Sequence, residues 1–130
     1  MRCATFLVAT ACAVGLGVPA AAHHSHGSFD LSRWETMEGI VKQVVFVTPH
    51  SILYVDVKGE KGEVVTWSLE ASTARGIFAN GVKREDVQPG DRVTVRCHLL
   101  RDGSPGCLLG FVTPGHGDVA RGHGVEREWR

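Results

Sequence analysis

The chain has 130 residues, 14 basic and 14 acidic side chains, and seven histidines. That length holds one small domain. The balanced charge excludes the basic stripe of a general nucleic-acid binder and the polybasic patch of a protein that sits on anionic lipid.

Residues 1–22 have the parts of a secretory signal peptide. Arg2 is the positive start, Thr5 to Val18 is apolar, Pro19 breaks the run, and Ala20 and Ala22 are the small residues that precede a cut before His23. The run is shorter than the ~18 residues of a spanning helix, so the mature chain is expected in the periplasm or secreted, with no membrane anchor left after cleavage. Of four cysteines, Cys3 and Cys12 leave with the signal. Cys97 and Cys107 remain, and a pair in an exported chain is expected as a disulfide. A plain hairpin about Asp102-Gly103 does not set them directly opposite, so the pairing implies a strand offset or bulge.

Residues 23–36 read as an N-terminal arm that Phe29, Leu31 and Trp34 could dock. Residues 37–47 form a first strand, ended by Thr48-Pro49-His50-Ser51 because proline has no amide to donate. Residues 51–58 alternate, with Leu53, Val55 and Val57 on one face, and a Gly59-Glu60-Lys61-Gly62 turn leads to a third strand, 63–70. Ala74, Ile77 and Phe78 recur at helical spacing within 71–80, with Ser72 as the cap and Gly81 as the stop. Strands at 92–100, with Val93, Val95 and Cys97 on one face, and at 107–113 complete the domain. Residues 114–130, rich in glycine, read as a flexible tail.

The fold expected is all-β with one short helix. Five strands with the helix between the third and fourth is the order of an OB-like barrel over residues 37–113; a small open β-sandwich is the alternative. Such barrels bind oligonucleotides, sugars and proteins alike, so fold alone gives no function.

The chemistry concentrates at the cleavage junction. If His23 becomes the first residue, its α-amine and imidazole can chelate one metal ion, and a second imidazole completes a T-shaped set of three nitrogens. This resembles the histidine brace of periplasmic copper carriers and copper polysaccharide oxygenases. The amine's ordinary pKa near ~8 lets a metal displace its proton at neutral pH. His50, in the stiffened Pro49 turn, is the expected partner, with His24, His26 and His98 in reserve. Copper is the metal expected; zinc is possible, but no thiolate or carboxylate is visibly paired with these histidines. Asp30, Glu35, Glu38, Asp56 and Glu70 are scattered and read as surface carboxylates. No phosphate loop, nucleophile elbow or His-Glu-x-x-His helix is present, so no enzyme is expected, although a copper-dependent oxidation stays open. The other reading is a non-metal module whose barrel face takes a sugar, peptide or periplasmic protein partner.

One ordered series of motifs adds to this: His23-His24-Ser25, Glu38-Gly39-Ile40-Val41, Thr48-Pro49-His50-Ser51, Trp67-Ser68-Leu69-Glu70, Pro89-Gly90-Asp91-Arg92-Val93-Thr94-Val95 and Asp102-Gly103-Ser104. The series resembles a family of small exported bacterial proteins, a domain of unknown function. The resemblance spans roughly His23 to Thr113, and implies a small exported β domain without supplying an activity. The chain departs from the family pattern at Thr48, where Asn is expected, and at Cys97 and Cys107, where glycines are expected. The histidine-containing tail also lies outside that pattern.

Overall fold

The structure, a computed structural model, describes residues 26–130. The signal-peptide reading and His23 and His24 therefore lie outside the described residues. Six strands follow one another: β1 (Glu35–Val45), β2 (Ile52–Lys58), β3 (Val64–Glu70), β4 (Arg92–Leu99), β5 (Gly106–Pro114) and β6 (Arg127–Glu128), with a helix α1 (Ala74–Ala79) between β3 and β4. The sheet runs β3-β2-β1-β4-β5-β6 and closes on itself through a parallel pairing of β3 with β5. The first five strands thus form a closed barrel of OB-like order, and β6 is an added strand on β5. Strand β1 serves both halves. Its first half pairs with β4 and its second with β2, with a register shift between Val41 and Gln43 where it turns from one to the other.

The alternation read from the sequence is the alternation of burial. Leu53, Val55, Leu69, Val93, Val95 and Cys97 point inward with at most 1% of their surface exposed. On β3 the inward face is graded: Leu69 is buried, Trp67 half-buried and Val65 exposed, as the strand runs out past the barrel's end. Helix α1 closes one end with Ile77. Its N-cap is Thr73, whose hydroxyl accepts the Gly76 N–H at 3.1 Å, and not Ser72. Ser72 is committed elsewhere: its carbonyl accepts the Ser51 N–H and its own N–H donates to Trp129.

Cys97 and Cys107 form a disulfide, with Cα atoms 5.8 Å apart. A bulge at Gly110 makes this possible. From Val93 to Arg96, β4 pairs with Pro114 back to Phe111; beyond the shift Cys97 faces Leu109 and Leu99 faces Cys107. Had the first register continued, Cys107 would fall on the outer face, because side chains alternate along a strand. Skipping Gly110 turns it inward beside Cys97.

Residues 114–130, expected to form a flexible tail, pack on the barrel instead. Trp129 is 1% exposed and belongs to the core, against Phe46 and near Val112. Its N–H donates to the Gly110 carbonyl and its carbonyl accepts the Ser72 N–H, each at 2.8 Å. The tail thereby bridges the bulge in β5 and the β3–α1 loop. Arg121 pairs with Asp91 and donates to the Glu85 carbonyl, which anchors the preceding loop. One large aromatic side chain and two backbone bonds outweigh the tail's glycine content, which is why composition misled.

Candidate functional site

The site is best built from the seam where β3 meets β5. Residue pairing sets a row across four strands: His98 of β4 opposite Leu108 of β5, Leu108 opposite Glu70 of β3, Glu70 opposite Ile52 of β2. Their chain neighbours Cys97, Cys107, Leu69 and Leu53 are inward and buried, so this row lies on the outer face. The β2–β3 ladder extends past its ends through Ser51 and Ala71, whose carbonyl and N–H join at 2.8 Å. His50 therefore lies on the same outer face as Ile52 and diagonal to Glu70. The loop that delivers it carries a cis Thr48–Pro49 bond and is tied down by buried Ser51, whose hydroxyl meets both backbone groups of Val47 at 3.2 Å.

One imidazole, His98, ends the row, and a second, His50, lies just beyond its other end. His50 Nδ1 lies 3.3 Å from Glu70 Oε1. His98 Nδ1 lies 2.7 Å from the carbonyl oxygen of Arg33. Because a carbonyl oxygen only accepts, the His98 ring donates from Nδ1 and carries its lone pair on Nε2, the arrangement found in metal-ligating histidines. Trp34 lies over His98 with ring centroids 3.9 Å apart. It reaches that position because residue 110 is glycine: a Cβ there would stand 2.3 Å from Trp34 Cζ3.

A cleft of about 510 Å³ opens over this seam. Leu31, Trp34, Pro49, Ala71, Leu108 and Leu109 give it an apolar wall; His26, His50, His98 and Arg130 are its ionisable lining. The tail supplies Arg130, so it is a wall of the cleft as well as a core element. Arg130 and Arg96 both lie over Phe111 and Trp34, and Glu126 holds Arg96 through two bonds of 2.9 Å.

Of the histidines singled out from the sequence, His26, His50 and His98 come to one cleft. They do not by themselves form a metal centre: among the described residues no group of three or more His, Cys, Asp or Glu could hold an ion. Sequence reasoning missed Glu70, read as a surface carboxylate; Trp34 was read as a docking residue and as an aromatic that could stack a sugar or base. The signal for Glu70 was the strand register, which a sequence does not print. His116 and His123, in the tail, serve the backbone: their Nδ1 atoms accept the N–H groups of Asp118 and Gly117 at 3.1 and 2.9 Å.

Residues 11–109 match a family of unknown function (DUF6152), and the chain belongs to that family. No curated protein and no solved structure matches the chain.

Proposed function

We propose that this family member is an exported copper-binding protein whose site is completed by its processed N-terminus. One observation carries the reading: His26, His50 and His98 line the same cleft, and His26 is only three residues from His23. Three extended residues span about 10 Å, enough for the His23 amine and imidazole to reach across the cleft. The ligands proposed are the α-amine and imidazole of His23 and the imidazole of His50, with His98 the next nitrogen available. Nitrogen-rich, thiolate-free ligation favours copper over zinc, since both remaining cysteines are in the disulfide. The disulfide also supports an oxidising compartment. The role proposed is binding or carriage, not catalysis.

The test is the protein purified from an exporting host without added metal. Its intact mass should correspond to a chain starting at His23, and it should contain close to one copper per chain. A chain starting elsewhere with no bound metal contradicts the reading. The apolar wall favours the second reading, a module for a non-metal ligand: Leu31 and Trp34 remain 49% and 38% exposed at its edge. A metal-free, correctly processed protein would turn the assignment to that module.

A further inference from the structure

We infer that the cleft takes a small hydroxylated organic acid, with its apolar body on the wall, its carboxylate at Arg130 and its hydroxyl at His98. The inference deepens the non-metal reading and needs no copper. His98 is 9% exposed, yet it lines the cleft. Its Nδ1 donates to the Arg33 carbonyl at 2.7 Å. Among the described residues its ring makes no second hydrogen bond, and none of their buried side-chain nitrogens or oxygens lacks a partner. Nε2 is therefore open to the cleft and not sealed in protein. With the proton on Nδ1, the neutral ring offers a lone pair at Nε2, which accepts from a hydroxyl and does not pair with a carboxylate. The Arg33 carbonyl on one side and the Trp34 indole, 3.9 Å away between centroids, hold that acceptor in place before any ligand arrives.

Arg130 supplies the opposite chemistry. Its guanidinium carbon lies 5.7 Å from the Trp34 ring centre and 5.3 Å from that of Phe111. Glu128 takes Nε at 2.7 Å, and the terminal N–H groups have no partner among the described residues. Those groups form the fork that grips a carboxylate. Glu128 shares the charge, so what remains suits one carboxylate and not a dianion. No Asp or Glu stands among the described lining residues, whose ionisable members are three histidines and Arg130. The cleft's charge is thus complementary to an anion. Its volume of about 510 Å³ is that of a small-molecule site, and Leu31, Leu108 and Leu109 receive an apolar body. His98 and Arg130 both lie against the Trp34 indole, so one compact, rigid body reaches both.

The test titrates the mature chain, in the presence of a metal chelator, with three probes: 6-hydroxy-2-naphthoate, 2-naphthol and 2-naphthoate. Calorimetry gives the affinities, and amide shifts of isotope-labelled protein give the place. The hydroxynaphthoate should bind tightest and shift the amides of Leu108, Leu109 and Gly110. Removing its carboxylate, as in 2-naphthol, should weaken binding about tenfold, the difference made by a charge-assisted bond. Removing its hydroxyl, as in 2-naphthoate, should weaken binding by several-fold and tests His98 without altering a residue packed on Trp34. Arg130→Gln should bring the hydroxynaphthoate down to the affinity of 2-naphthol, leave 2-naphthol unchanged and keep the wild-type melting temperature. If 2-naphthol binds as tightly as the hydroxynaphthoate, or Arg130→Gln has no effect, the inference is overturned and a site for neutral apolar ligands stands. Equal binding of 2-naphthoate overturns the part given to His98. Shifts confined to another face overturn the inference, and binding of none of the three overturns it together with the non-metal reading.

Discussion

Single residues decide the site through contacts that sequence spacing conceals. The histidines were visible, because their type announces the chemistry; Glu70 was not, because its meeting with His50 depends on which residues of β2 and β3 face each other. His116 and His123 show the converse, histidines whose ring nitrogens serve turns. Alanine at either position should leave copper affinity unchanged in a chelator competition, while lowering thermal stability by about 1 kcal/mol for the one bond lost at His123 and by more at His116, whose ring also bonds the Asp86 carbonyl. Gly110 has a sharper role. Gly110→Ala places a methyl on the Trp34 ring and near the Arg96 carbonyl. It should cost about 1–3 kcal/mol by overpacking and shift Trp34 fluorescence as the indole leaves His98. Two turn carboxylates, half-buried Asp30 and exposed Asp102, give a pH signature. The Ser32 hydroxyl and N–H hold Asp30 below its ordinary pKa, and the Ser104 hydroxyl and N–H do the same for Asp102. Because the folded values are lowered, these turns contribute stability at neutral pH that is lost as pH falls through the folded pKa. In an NMR titration both carboxyls should protonate below a free aspartate, and Ser104→Ala should return Asp102 upward; an unmoved Asp102 would contradict this.

Strands and turns were largely legible; their junctions were not. The repeating inward positions of β2 and β4 follow from alternation alone, and the need for a bulge between Cys97 and Cys107 followed from their spacing about Asp102-Gly103. Its place at Gly110 did not, because it is set by Trp34 and by the Trp129 N–H that takes the bulge's carbonyl. The disulfide closes a loop of 10 residues. In the chain-entropy account it contributes about 2–3 kcal/mol, so a thiol assay on unreduced protein should find no free thiol and reduction should lower the melting temperature. The tail should matter comparably. Trp129→Ala, or a chain ending at Thr113, removes a core side chain and should cost about 3–5 kcal/mol. Melting within a few degrees of the full chain would show that the docked tail is energetically idle.

At the scale of the whole molecule, the OB-like order was readable because three strands, a helix and two strands admit few closures. The cleft was not readable, because six separate segments build it: the arm, the Pro49 turn, the β3–α1 loop, β4, the β5 bulge and the tail. Their meeting explains how a small domain with few distinctive motifs gathers three histidines in one cleft. On the copper reading proposed above the N-terminus is decisive, since the described histidines alone do not make a metal centre. Cleavage after Ala22 gives the His23 chelate, which requires His50. Cleavage after Ala20 or after Ala21 would instead place a histidine third, His23 or His24 respectively, which would bind copper through the amine, backbone nitrogens and its imidazole without His50.

The central claim is tested most directly by copper titration of three chains: one starting at His23, one with a single residue added before His23, and one lacking residues 23–26. The account predicts tight binding of one copper by the first, a sharp loss in the second, and a similar loss when His50→Ala is made in the first. Equal binding by the first and third chains would contradict it.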